Sequence, residues 1–188
     1  MSAAAPTIGC ILLAAGSSKR FGADKRGHAL PSGKTMLEQT AQTLQQVFTP
    51  RIMVLRADDA GLAQHFGGTW QIIHAADANL GMGHSLAAAM RLTKGWQGAV
   101  VALADMPWIK ADTYSAIRDA LREDRLIVPF YRGQRGNPVA IGSDYFPRVA
   151  TLQGDSGARQ LMQKFSERII PLEVDDEGIL QDLDTPPG

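Results

Sequence analysis

The chain has 188 residues, 45% of them apolar and 20% charged, with 19 lysines and arginines against 19 acids. That length and balance suit one folded domain with a full core, spanning residues 1–188, and exclude a disordered chain. A formal net charge of zero supplies no global field toward nucleic acid or a membrane surface, so neither is an expected partner, and anion binding must come from local placement.

Residues 1–6 lack a basic start followed by an apolar core, and no run approaches the roughly 20 apolar residues of a membrane span, so the expected compartment is the cytoplasm. Residues 7–13 read as a buried strand. Its lone Cys10 excludes an intrachain disulfide and a cysteine-rich metal site, and reads as a small core residue. Residues 35–47 follow as a helix, with Leu37, Ala41, Leu44 and Phe48 spaced by three or four. A strand is expected at 51–55, a short helix at 59–66, a strand at 70–74 and a helix of small and apolar residues at 85–92. The stretch GAVVAL at 98–103 is the best central strand. A helix at 112–121 and a strand at 126–129 continue the rhythm.

This βαβα order predicts an α/β fold, a three-layer sandwich with a mostly parallel sheet and helices on both faces. The rhythm breaks at 130–136, a strand running into a turn, and 138–141, a returning strand, which predict one late antiparallel strand. A helix at 154–165 and a strand at 169–172 complete the chain.

Ligands of open parallel sheets bind beyond the carboxyl ends of strands, and ILLAAGSSKRFGADK occupies that place. Gly16 and Gly22 free the backbone, Ser17 and Ser18 add hydroxyl donors, and Lys19, Arg20 and Lys25 put three cations within seven positions. The dinucleotide fingerprint G-x-G-x-x-G is absent, and the Walker pattern fails because Gly16 and Gly22 are six apart and Ala23 follows. Beyond the 98–103 strand, Asp105 is placed either to hold a hard cation or to cap the helix near Lys110. Ser85 is a candidate helix cap whose neighbouring amides face an anion, with Gly83 beside it, while His84 reads as a surface histidine. Arg135, Gly136, Asn137 and Pro138 read either as a hairpin tip or as a ligand contact, and Asp155 as a helix cap or a substrate contact.

In their order these stretches resemble the nucleotidyltransferase superfamily that holds the molybdenum cofactor guanylyl- and cytidylyltransferases and the sugar-nucleotide pyrophosphorylases. The matching residues are LAAG-S-S-x-R-F-G-x-x-K, A-D-M-P, G-M-G-H-S-L, Y-R-G-Q-R-G-N-P-V, G-D-S-G-A-R and D-L-D-T-P. The resemblance runs from Ile8 to Pro186 and implies a Rossmann-like sheet of the nucleotide-diphospho-sugar transferase type. It implies that Leu13, Ala14, Ala15, Gly16, Ser17, Ser18, Lys19, Gly22, Gly83 and Ser85 hold a nucleoside triphosphate. Arg20 and Lys25 would act on its phosphates, and Asp105 would bind Mg²⁺ with Asp184 as a second ligand. Arg135, Gly136, Asn137, Pro138 and Asp155 would face the acceptor.

The implied reaction transfers CMP from CTP to molybdopterin, with a molybdoenzyme or its chaperone as a further partner. CTP is favoured over GTP because the guanylyl branch has L-A-G-G where this chain has Ala15. GTP, a sugar or alcohol phosphate acceptor, and a non-catalytic binding module remain the alternatives. One departure stands out. After Lys25 the family has an apolar run before proline, whereas this chain has Arg26, Gly27 and His28, so the segment either packs differently or meets a different second substrate.

Overall fold

In the computed structural model, residues 6–16, 24–77, 80–154 and 157–182 are described. Among the described residues, eight strands form one sheet: β1 (Ile8–Leu13), β2 (Arg51–Arg56), β3 (Gln71–Ala75), β4 (Gly98–Leu103), β5 (Leu126–Tyr131), β6 (Gln134–Arg135), β7 (Val139–Gly142) and β8 (Ile169–Glu173). The strand order is β3-β2-β1-β4-β7-β5-β6, with β8 pairing β5. β1 is central and parallel to both β2 and β4, and β8 is parallel to β5. β7 runs antiparallel between β4 and β5, as the break in rhythm predicts, and β6 adds a short hairpin arm to β5.

The helices are α1 (Met36–Val47), α2 (Ala60–Phe66), α3 (Met82–Met90), α4 (Ala111–Ala120), α5 (Phe146–Val149) and α6 (Arg159–Lys164). Alternate residues of each strand face opposite sides of the sheet. Cys10, Leu12, Met53 and Val100 therefore pack with α1 and α4 through Leu37, Leu44, Tyr114 and Ile117. Ile11, Leu13, Ile52 and Val101 pack on the other face with Leu86 and Met90 of α3 and Leu161 of α6. Burial lifts the Cys10 thiol far above its ordinary pKa, so it stays a neutral core group. No described helix is long and apolar enough to cross a membrane.

Local chemistry sets several boundaries. α1 opens on a capping box: the Thr35 hydroxyl accepts from the Glu38 amide at 3.2 Å, and the Glu38 carboxylate accepts from the Thr35 amide at 2.8 Å. The Thr35 amide and hydroxyl both donate to the Glu38 carboxylate and hold its pKa below the usual range. α3 begins three residues earlier than the sequence suggests, with Gly81 at its N-cap, so Ser85 lies inside the helix and does not cap it. The helix expected at 154–165 contracts to Arg159–Lys164. Gly154 at φ 72° and Gly157 at φ 47° take left-handed backbone that interrupts helical winding.

Candidate functional site

Leu13 is in register with Leu103, so β1 and β4 end side by side. The Ala14 amide bonds the Val54 carbonyl at 2.9 Å and the Ala104 amide bonds the Leu13 carbonyl at 3.2 Å, carrying the pairing past the strand ends. A cavity of about 240 Å³ opens there, lined by Leu13, Ala14, Ala15, Gly16, Lys25, Arg26, Met36, Met82, Ser85, Leu103, Ala104 and Asp105. The distant residues Lys25 and Asp105 meet across it, with Lys25 Nζ donating to Asp105 Oδ2 at 2.5 Å. Both side chains line the cavity and are about one-fifth exposed.

Asp105 does not cap α4. That end is held from the far end of the chain by Asp176, whose Oδ2 accepts from the Lys110 amide at 2.9 Å and from the Thr113 hydroxyl at 2.6 Å. Its Oδ1 accepts from the Gly178 amide at 3.0 Å. The carboxylate that capping would have occupied is thus left at the cavity wall.

A second cavity of about 760 Å³ shares Leu13, Met82 and Leu103 with the first. It adds Arg135, Gly136 and Asn137, the apolar Leu86, Val101, Val139 and Met162, and Arg159. Arg135 and Arg159 are exposed, and Pro138 is buried beside Asn137. Gly136 has a packing reason as well: a Cβ there would lie 2.5 Å from the Ile179 carbonyl, and the next amide, Asn137, donates to that carbonyl at 3.0 Å. Gly83 is similar. Its amide donates to the Gly154 carbonyl at 2.8 Å, and a Cβ would meet that same oxygen. His84 Nδ1 accepts the Gly154 amide at 3.2 Å, so it ties α3 to the segment before α6. Ser17, Ser18, Lys19, Arg20, Gly22, Asp155 and Asp184 lie outside the described residues.

The departure at Arg26 has a structural answer. Arg26 is 4% exposed and turns away from Lys25. Nη1 donates to the Ala14 carbonyl at 2.7 Å and to Asp59, Nη2 donates to Asp59 Oδ1 at 2.7 Å and Asp24 Oδ2 at 2.5 Å, and Nε donates to Asp24 Oδ1 at 2.8 Å. Asp59 Oδ2 also accepts the Arg56 amide at 2.8 Å, and the Arg56 guanidinium donates to the Gly16 carbonyl. The Arg26 hydrogen bond holds the Asp24 carboxyl below the usual range. Burial pushes Asp59 upward, but the bonds from Arg26 and the Arg56 backbone outweigh it and its pKa is also lowered. Burial likewise opposes charge on Arg26, and its two carboxylate partners reverse that. Where the resemblance implies apolar anchors, this chain has a partly buried ion cluster built on Arg26. Asp59 reads in sequence as a helix start, yet it makes no side-chain cap on α2. The only visible sign of the cluster is an arginine where an apolar residue belongs.

The chain is similar to known proteins in sequence and in fold. Purine catabolism protein PucB of Bacillus subtilis is 32% identical to the chain, over 94% of this chain and 91% of PucB. Nicotine blue oxidoreductase of Paenarthrobacter nicotinovorans is 26% identical, over 96% and 93%. The solved structure of Rv0371c from Mycobacterium tuberculosis superposes with a TM-score of 0.82 at 26% identity, over 97% of this chain and 95% of that one. A manganese complex of Rv0371c superposes at 0.76 with 23% identity, over 89% and 88%. The model of the MobA-like NTP transferase domain matches residues 10–169, and the chain belongs to that nucleotidyltransferase family.

Proposed function

We propose that the chain transfers a nucleotidyl group from CTP to the phosphate of molybdopterin, with or without its metal, and releases pyrophosphate. The observation that carries this reading is the common wall of the two cavities at Leu13, Met82 and Leu103. A triphosphate in the smaller and an acceptor in the larger would meet over the ends of β1 and β4. An apolar body with an anionic group suits the second cavity, which is apolar along Leu86, Val101 and Met162 and cationic at Arg135 and Arg159. Ala15, where the guanylyl branch carries glycine, supports CTP over GTP.

An acceptor phosphate oxygen would attack the α-phosphorus. The new P–O bond forms as the bond to the bridging oxygen breaks, and pyrophosphate leaves with that electron pair. The nucleophile is already ionised, so positioning and charge neutralisation do the catalytic work. Lys25 would exchange Asp105 for the phosphates, with Arg20 adding a second cation. Asp105 fits Mg²⁺: it is a single, partly exposed carboxylate at the cavity wall, and a cationic group already sits against it. Mg²⁺ takes one or two carboxylates and completes its shell with phosphate and water. Asp184 is the proposed second ligand. Bound there, the ion would polarise the phosphoryl oxygens. The manganese complex of Rv0371c supports testing Mn²⁺ beside Mg²⁺.

The test is a thermal-shift panel of CTP, GTP, ATP, UTP and NADH with Mg²⁺, followed by pyrophosphate release with molybdopterin. Selective stabilisation by CTP and turnover are expected. Selective stabilisation by GTP would move the protein to the guanylyl branch. A shift with NADH alone, in keeping with the name of the Paenarthrobacter relative, would overturn nucleotidyl transfer.

A further inference from the structure

Lys25 and Arg26 are sequence neighbours whose side chains are drawn in opposite directions. Lys25 reaches Asp105 across the first cavity, and Arg26 goes into the cluster behind it. Arg26 lines the same cavity, so its charge invites the reading of a phosphate ligand. Its hydrogen bonds argue otherwise. A guanidinium has five N–H donors. Here Nε serves Asp24, Nη1 serves Ala14 and Asp59, and Nη2 serves Asp24 and Asp59, so all five are occupied. With Arg56, the cluster holds two cations and two carboxylates and is neutral, so it adds little attraction for a triphosphate.

What the cluster does fix is geometry. Asp24 precedes Lys25 and accepts the Arg26 amide at 3.2 Å, closing the 3₁₀ turn Lys25–Gly27. The Ala14 carbonyl that Arg26 holds belongs to the backbone leaving β1, and Arg56 holds the carbonyl of Gly16 two residues on. Asp59 sits between the two arginines, accepting from the Arg26 guanidinium and the Arg56 amide. One buried side chain thus ties the turn that bears Lys25 to the backbone leaving β1.

We propose that Arg26, with Asp59 as its buried counter-ion, is a positioning residue that fixes Lys25 and the Ala14–Gly16 backbone relative to each other for phosphoryl chemistry. The assignment rests on the nucleotide reading of the first cavity. A misplacement near 1 Å costs about a hundredfold in rate. Lysine at 26 would keep the charge but could not bridge two carboxylates and a carbonyl in one plane.

The test is a double-variant cycle. Arg26→Lys, Lys25→Ala and the double variant are measured for CTP affinity without metal and for pyrophosphate release with CTP, Mg²⁺ and molybdopterin. Arg26→Lys is expected to lower kcat at least tenfold. If Arg26 acts through Lys25, adding Arg26→Lys to Lys25→Ala should cost less than a further twofold in both readouts. Multiplicative losses in the double variant, or a wild-type kcat in Arg26→Lys, would overturn the assignment. Asp59→Asn, which keeps shape and loses charge, replaces Arg26→Lys in the cycle should that variant not fold. The two readings fail separately. Wild-type protein that neither binds nor turns over CTP removes the nucleotide reading and this one together, whereas an active wild type with an additive cycle removes only the role of Arg26.

Discussion

At the scale of single residues, the proposed chemistry centres on the Lys25–Asp105 pair. The two lie 80 positions apart in sequence and meet at 2.5 Å because β1 and β4 end in register. Asp105→Ala should reduce pyrophosphate release at least a hundredfold, the scale seen when one preorganised charge-stabilising group is removed, while leaving the melting temperature within a few degrees. Near-normal turnover would remove Asp105 from the proposed mechanism. The pair also predicts a competition. The Lys25 ammonium lies against the Oδ2 that a divalent ion would use, so Lys25→Ala should bind Mn²⁺ more tightly than wild type when nucleotide is left out. Titration followed by the Mn²⁺ resonance signal reads this directly, and unchanged or weaker binding would separate the metal from Asp105.

At the scale of elements, what was legible in sequence was what repeats. β1, α1, β4 and β8 lie within a residue or two of their expected bounds, because apolar periodicity and capping chemistry are local. The gathering of Lys25, Asp105 and Ala14–Gly16 around one cavity also follows from strand ends in a parallel sheet. Pairings between distant segments left no local trace. The cap of α4 comes from Asp176, 66 positions beyond Lys110, and nothing in its own stretch V-D-D-E-G points to that helix. Asp176 is 2% exposed and satisfies three donors, on Lys110, Thr113 and Gly178. Asp176→Ala should therefore cost about 2 kcal/mol, the upper range for a lost helix cap, as measured by urea unfolding. A change below 0.5 kcal/mol would show that α4 does not depend on this carboxylate.

At the scale of the whole molecule, the Arg26 cluster binds β1, the turn at Lys25–Gly27 and the end of β2 into one unit, and it gives folding a pH dependence. Asp24 and Asp59 have carboxyl pKa values lowered in the folded state, chiefly through Arg26. Each therefore contributes stability that is fully present above its unfolded pKa, about 4 for aspartate, and is lost as pH falls through the lower folded value. Between pH 5 and 8 these two groups leave stability flat, and below about pH 4 their contribution declines. Asp59, with a side chain 10% exposed, should carry the larger share, because Asp24 is 43% exposed and screened by water. Asp59→Asn should lower the melting temperature at pH 7 and flatten its decline between pH 4 and pH 2. Arg26→Leu should be worse at neutral pH, by about 3 kcal/mol, because it leaves a buried carboxylate unpaired. Acid should then rescue that variant in part, since protonating Asp59 removes the stranded charge. Melting curves of wild type and both variants across pH 2–8 check the argument, and an Arg26→Leu protein that loses stability with acid in parallel with wild type would contradict it.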